Sequence, residues 1–593
     1  MTTKRIASIS MLALALCVAS CGGSDSNASA PTATATAAPP TQSPTQPART
    51  ATQTSAPSAT PSITRTAIPT VTPTVLPSAT ATRTPADPLL VVTDTGPVRG
   101  IAGDGIRSFL GIPYAAPPVG ALRWRAPQPV EPWTDERDAT QPGNPCPQTI
   151  PIVHIATGEE DCLVLNVVAP NPLPNPAPVM VWIHGGGFTT GEGRQYTGST
   201  DGGVIAGTAA AVVVSLNYRL GQLGFLAHPA LSSEDAAHPG SGDYGIEDQI
   251  GALQWVQRNI AAFGGDPHNV TIFGESAGGL SVCIHLVSPA SAGLFQHAIV
   301  ESGLCTQPLA ELGAAEQQGE RFADSLGCAS SPDVLACMRA KSADEVRAAL
   351  PPDPNFAFTP GVWGRYFPVV DGRVLPHQVA ALLAEGSVQR VPLLIGSNGD
   401  EGTLFVALSH DNLGMPLMAD QYRDRLLYLV SGDAAAADAI EARYPLADYP
   451  TPGAALAAAF GDGFLACPTI DAAALAAGLM PTYLYQFTYP DAAFNLPLPI
   501  ALGAFHSAEI QFVFGFPAAG SFTPEELALS RQMLGYWTRF AAGGDPNGGG
   551  APPWPLLDAA GRYLQLDRTI ATGAHAKQSA CDFWRGLNLN QTP

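Results

Sequence analysis

The stretch Phe263–Gly279, FGGDPHNVTIFGESAGG, decides how the chain is read. Val270–Phe273 is a short apolar, β-rich run, and Gly274, Ala277, Gly278 and Gly279 follow it. Small residues on both sides of Ser276 let a strand turn sharply into a helix, because the two backbones come too close for larger side chains. Ser276 then stands at the apex, its hydroxyl at a helix start where backbone N–H groups point outward. A glycine-rich loop could spell the same pentapeptide, so the surroundings matter. Upstream, Ile246, Ile250, Leu253, Val256, Ile260 and Phe263 recur at three- and four-residue spacing. That pattern is an amphipathic helix lying on a sheet just before the strand. Strand, helix and strand in this rhythm predict an open, mostly parallel α/β sheet.

The chain has 593 residues and a net charge of -21, with no basic stripe to offset it. Such a balance argues against nucleic acid or any other polyanion as a partner. Lys4 and Arg5 precede an apolar run, Met11–Val18, that is too short to span a bilayer as a helix. Residues 1–20 therefore read as an export signal. Val18-Ala19-Ser20-Cys21 resembles a bacterial lipobox, which implies lipid on Cys21 and a membrane anchor, an ordinary secreted chain being the alternative. Residues 21–88 are mostly Thr, Ala, Pro, Ser, Gly and Gln, with too little apolar surface to offset ordering entropy, and read as a disordered tether. As a coil such a tether reaches about 45 Å. Residues 89–587 read as one globular domain and 588–593 as a tail.

Several segments of that domain resemble the type-B carboxylesterases, the family that includes the cholinesterases. The likeness covers Phe263–Gly279, Phe109–Ala115, Glu160–Asn166 (with Val164 where Tyr or Thr is usual) and Asn217–Gly221. It continues through Gly242–Gln249, where Asp243 and Ile246 replace Asn and Leu, and through Trp537–Asn547. The resemblance implies an α/β-hydrolase fold, and a serine hydrolase acting on small ester substrates with neither metal nor organic cofactor. In that fold the acid and then the base follow the nucleophile in chain order. After the apolar strand Val391–Ile395 come Asp400 and Glu401, both placed just past a strand end. The family's D-E-G pattern selects Glu401, leaving Asp400 as a solvated or structural neighbour. Of His410, His506 and His575, only His506 stands in the family's G-x-x-H-x-x-E context, Gly503–Glu509. Three glycines after the strand Val179–Ile183, in His184–Phe188, implicate the N–H groups of Gly186 and Gly187, with Ala277, as oxyanion donors. Ser302, after the strand His297–Val300, reads as a structural serine. Residues 419–480 read as helices whose apolar side chains wall the acyl pocket.

Beyond Cys17 and Cys21 lie eight cysteines, none in a C-x-x-C metal pattern. An even number in an exported chain points to disulfides. The family pattern implies Cys146–Cys162, Cys328–Cys337 and Cys467–Cys581. Cys283 and Cys305 have weaker precedent, and two buried thiols would serve there equally. A non-catalytic adhesion module of the neuroligin kind is the rival reading, set against the complete Ser276, Glu401 and His506 set. A choline site is unsupported: that site uses a Trp between the first two bridging cysteines, and Pro147–Asp161 holds no Trp, Tyr or Phe.

Overall fold

Gly265–Glu275 forms a strand whose second half, from Val270 onward, is buried, as its run of apolar and small residues requires. In the computed structural model the described residues are 87–589, apart from 151–154, 173–175, 195–201, 351–365, 412–413, 494–500, 519–520 and 588. The export signal, Cys21, the tether up to residue 86 and almost all of the tail lie outside the described residues.

Eleven strands make the main sheet. In chain order they are β1 (Ile101–Ala102), β2 (Ile106–Pro113), β3 (Val164–Pro170), β4 (Ala177–Ile183) and β5 (Val212–Leu216). Next come β6 (Gly265–Glu275), β7 (His297–Glu301), β8 (Leu393–Asn398), β9 (Thr482–Phe487), β10 (Arg562–Leu566) and β11 (Ala571–Ala574). Across the sheet they lie in the order β11-β10-β9-β8-β7-β6-β4-β5-β3-β2-β1. From β5 to β10 every neighbouring pair is parallel. The pairs outside that block are antiparallel. The mostly parallel sheet read from the sequence is therefore present, with antiparallel edges.

The topology itself marks a site. Strand β4 has β5 on one side and β6 on the other, so the chain reverses direction across the sheet at its C-terminal end. Crevices at such switch points are where open α/β sheets bind ligands. The segments following β4 and β6 are the glycine loop and the Ser276 turn.

Both faces of the sheet are covered. Alternate residues of β6 point to opposite sides: Val270 and Ile272 join Val181, Leu253 and Val256 in one apolar core. Phe273 joins Trp182, Phe512 and Trp537 in the other. The helix Tyr244–Asn259 supplies Leu253 and Val256, as its spacing predicts. The helix Pro524–Gly543, opened by the Thr523–Glu526 capping box, supplies Trp537. A third core, from Val406 and Tyr422 to Phe460 and Leu465, packs under Trp584 of the C-terminal helix. The run Pro452–Ala477 is long and apolar enough to cross a membrane, but 67% of its apolar window is buried in this body, so it is a core helix. Residues 312–348 form three helices, Leu312–Ser325, Val334–Arg339 and Ala343–Ala348. Gly327, at φ +70°, ends the first of these by taking a conformation that costs glycine little.

Four disulfides are formed. Three are the implied pairs, Cys146–Cys162, Cys328–Cys337 and Cys467–Cys581, with Cα separations of 5.0, 5.7 and 5.1 Å. Cys283 and Cys305 are also bonded, so the alternative of two free thiols is corrected. That bridge ties the helix after Ser276 to the segment after β7, at a Cα separation of 5.7 Å. The four bridges fit an oxidising compartment.

Candidate active site

Ser276 has φ 58° and ψ -120°, a sparsely populated conformation for a residue with a side chain. The surroundings impose it. Its N–H donates to the Glu301 carbonyl at 2.9 Å, and its carbonyl accepts from the Leu280 N–H at 2.9 Å. A Cβ on Gly274 would lie 2.6 Å from the Ile183 carbonyl oxygen, and one on Gly278 only 2.0 Å from it. The small residues read from the sequence thus allow β6, the end of β4 and the helix Ala277–Val287 to touch backbone to backbone.

Glu401 and His506, the expected acid and base, come from segments after two other strands. Glu401 follows β8 and is 1% exposed; His506 is 5% exposed. Glu401 Oε2 lies 2.7 Å from His506 Nδ1. The other carboxylate oxygen of Glu401 accepts from the Asn398 N–H at 2.7 Å and from Ser302 Oγ at 2.6 Å. Asp400 turns the other way: its Oδ2 accepts from the Ala504 N–H at 2.9 Å, and its own N–H donates to the Ala504 carbonyl at 2.9 Å. It anchors the segment that carries His506 and does not touch the ring. Asn398 adds a second anchor, donating from Nδ2 to the Phe505 carbonyl at 2.7 Å.

Ser302, read from the sequence as structural, contacts the acid directly. Its position 99 residues from Glu401 left no local pattern to find it by. Glu275, the residue before Ser276, also went unread in the sequence. Its Oε1 lies 3.0 Å from His506 Nε2. The imidazole therefore has a carboxylate at each nitrogen. Burial pushes the His506 imidazole down, but the Glu275 charge and the Glu401 hydrogen bond outweigh it and raise it to about 9. Burial raises Glu275 to about 7, against the pull of His506.

More buried acid lies behind this pair. Burial raises Glu301 to about 8, although Trp537 Nε1 donates to its Oε1 at 2.5 Å. Burial, with Glu275, Glu301 and Glu401 nearby, holds Glu509 well above the usual carboxylate range. Asn398 Nδ2 donates to Glu509 at 2.5 Å.

The glycine loop closes the site from β4. A Cβ on Gly185 would stand 3.2 Å from Ser276 Cβ, which places this loop against the Ser276 turn. Gly186 and Gly187 have φ +107° and +60°. A Cβ on Gly187 would meet nothing nearer than Thr189 Oγ1 at 4.0 Å, so this glycine faces open space. Ala277 is buried at the first position of the helix after Ser276. On the apolar side, the Phe405 ring packs 5.0 Å from the His506 ring, and Phe460 packs 5.3 Å from Phe405. Phe405 precedes the region 419–480 in which apolar walls were expected; Phe460 lies within it.

The carboxylesterase family profile matches residues 87–584. Mouse (Mus musculus) cholinesterase is 36% identical over 540 residues, covering 84% of this chain and 86% of that protein. Human (Homo sapiens) cocaine esterase is 36% identical over 525 residues, covering 83% of this chain and 90% of that protein. Among solved structures, PNB esterase superposes with a TM-score of 0.71 at 33% identity, over 84% of this chain and all of that chain. The chain belongs to the carboxylesterase family, type B, on the α/β-hydrolase fold. It is a serine ester hydrolase.

Proposed function

We propose that Ser276, His506 and Glu401 form the nucleophile, base and acid of a two-step acyl transfer, with Gly186, Gly187 and Ala277 as oxyanion donors. The observation that carries it is the 2.7 Å contact of buried Glu401 with His506 Nδ1; Glu275, whose chain neighbour Ser276 holds the strained turn, lies 3.0 Å from Nε2. Glu401 fixes the imidazole tautomer, leaving Nε2 as the acceptor. His506 takes the Ser276 proton as Oγ adds to the ester carbonyl carbon. The carbonyl oxygen becomes an oxyanion, the alcohol leaves with the proton from His506, and water repeats the sequence on the acyl-enzyme. Each oxyanion donor contributes about 100- to 1000-fold in rate. Glu275 at Nε2 favours the imidazolium that forms as the proton moves.

The decisive experiment is Ser276→Ala, assayed with p-nitrophenyl esters of increasing acyl length. The variant keeps the far-ultraviolet spectrum of the wild type and loses hydrolysis of every ester. Wild-type turnover in this variant would remove Ser276 from the mechanism, and the chain-length series on wild type defines the acyl preference.

The enzyme works outside the cytoplasm, anchored by lipid on Cys21 and held off the surface by residues 21–88. The lipobox-like Val18–Cys21, the composition of the tether and the four disulfides support this. Two or more acyl chains would give stable anchoring at about 0.8 kcal/mol per buried methylene. Mass spectrometry of the mature N-terminus tests it: diacylated Cys21 is expected, and an unmodified terminus beyond Cys21 means a freely secreted enzyme.

A further inference from the structure

Among the described residues, the loop from His184 to Gly193 is tied down at four places or more. The Tyr218 hydroxyl donates to the His184 carbonyl at 2.8 Å, and the Gly221 N–H donates to the Phe188 carbonyl at 2.7 Å. The Gly193 N–H donates to Asn217 Oδ1 at 2.8 Å. The fourth tie is Gln148, which is buried. Its Oε1 accepts from Thr190 Oγ1 at 2.7 Å and from the Gly191 N–H at 2.8 Å. Its Nε2 donates to the Gly191 carbonyl at 2.9 Å and to the Cys146 carbonyl at 3.1 Å. One side-chain amide thus satisfies both backbone polar groups of Gly191 and the neighbouring hydroxyl.

Of these ties, that of Gln148 acts on Thr190 and Gly191, the part of the loop that folds back over Gly186. The Gly186 carbonyl accepts from the N–H groups of Thr189 and Thr190, both at 3.1 Å. A Cβ on Gly186 would lie 2.2 Å from the Thr190 carbonyl oxygen, so the two backbones are in contact. A shift of Thr190 must therefore move Gly186, and with it the peptide leading to Gly187. Two consecutive glycines at positive φ have little intrinsic stiffness, and their orientation needs an outside support. Gln148 supplies it from a different part of the chain. It opens a short hairpin, Gln148–Ile150 paired with Ile155–Thr157, inside the loop that the Cys146–Cys162 bridge closes.

We propose that Gln148 is a positioning residue for the oxyanion donors, and that the loop closed by Cys146–Cys162 serves acyl transfer by presenting it. The proposal rests on reading Gly186 and Gly187 as donors. Such donors act by being in place before the oxyanion forms, and misplacement by about 1 Å costs about 100-fold.

The test is Gln148→Met, which keeps the side-chain volume and removes every polar contact. The readouts are kcat and KM for p-nitrophenyl butyrate, and the inhibition constant of an alkyl trifluoromethyl ketone. With that ketone Ser276 Oγ adds to the carbonyl carbon, the carbonyl π pair becomes an oxyanion, and the hydroxyl proton passes to His506. The adduct therefore needs the same donors as the ester's transition state. Expected is a fall in kcat of about 10- to 100-fold at a nearly unchanged KM, with the ketone's inhibition constant rising by the same factor. The acid limb of the pH profile stays in place, because Gln148 touches none of Ser276, His506 and Glu401. Unchanged kcat and ketone affinity, or a fall in kcat with ketone affinity intact, overturns the proposal. Should Gln148→Met not fold, Thr190→Val decides: loss of its single bond to Gln148 gives the same pattern at about 3- to 10-fold, and wild-type constants refute it. Ser276→Ala is run alongside. Retained turnover there overturns the reading of the site itself, whereas an inactive Ser276→Ala with wild-type Gln148→Met overturns only the role of Gln148.

Discussion

Two backbone segments meet at the site and differ in what chiefly holds them. The Ser276 turn, Gly274–Gly279, is held by direct contact of backbones, with no space for a methyl group at Gly274 or Gly278. The glycine loop, His184–Gly193, is held by hydrogen bonds that reach it from elsewhere, from Gln148, Asn217, Tyr218 and the Gly221 N–H; it is close-packed at Gly186 and leaves open space at Gly187. Packing against a sheet fails all at once when it is violated, because the interior has few voids to absorb the change. A segment held by separate hydrogen bonds loses its geometry by degrees, each bond contributing about 1 kcal/mol.

Gly278→Ala is the harshest way to break this contrast. The new Cβ would sit 2.0 Å from the Ile183 carbonyl oxygen, so strand β4 or the turn must move. We expect a destabilisation of about 3 kcal/mol or more in chemical denaturation, or failure to accumulate folded protein. Wild-type stability would show that the turn is not fixed by packing.

Next in size is the pair of acids after β8. Glu401→Gln removes the charge facing His506 Nδ1 and should lower kcat by about 1000-fold or more. Asp400→Asn keeps an acceptor for the Ala504 N–H and should cost less than about tenfold. The reverse ranking in steady-state kinetics would mean that Asp400 is the acid.

Glu275 belongs to the Ser276 turn, and its effect is on pH. Burial lowers the His506 imidazole, while the charge of Glu275 and the bond from Glu401 raise it further, to about 9. As the proposed base, His506 must be neutral, so activity should be lost as pH falls through that value. Glu275→Gln removes one raising influence and should move the acid limb of kcat/KM to lower pH by on the order of one unit. A limb that stays in place would mean that Glu275 does not face the working imidazole.

Gly187→Ala sharpens the contrast from the other side. Among the described residues, the nearest atom to the added Cβ is Thr189 Oγ1 at 4.0 Å, so the cost is confined to a side chain at φ +60°. That is about 1–2 kcal/mol, with the protein still folded and its unfolding still cooperative. A loss as large as that of Gly278→Ala would contradict the open space at Gly187.

The last effect is on stability against pH. Burial raises Glu301 from an ordinary value of 4.5 to about 8, so the folded protein binds a proton that the unfolded chain releases between those values. Stability from this group therefore falls as pH rises from about 4.5 to about 8. Glu301→Gln keeps an acceptor for Trp537 Nε1 and should flatten that slope in urea midpoints taken across the window. An unchanged slope would assign it to other groups.

The sequence by itself determined the parts that are written contiguously. The Ser276 turn, the helix Tyr244–Asn259 before it, the glycine loop after β4 and the parallel sheet are all carried by short patterns of size and polarity. Local sterics and burial of an apolar face produce such patterns, so they can be read without the fold. The choice of Glu401 over Asp400 needed a family resemblance, because both stand past the same strand end. One turn of backbone decides that Glu401 meets the imidazole and Asp400 meets the Ala504 N–H. Only the tertiary structure placed Ser302 on Glu401, Trp537 on Glu301 and Gln148 on the glycine loop, at separations of 99, 236 and 42 or 43 residues. It alone joined Cys283 to Cys305 and set Glu275 at His506 Nε2. Hydrogen bonds between distant residues impose no periodicity on either partner, and they exist only once the sheet has brought its strand ends together.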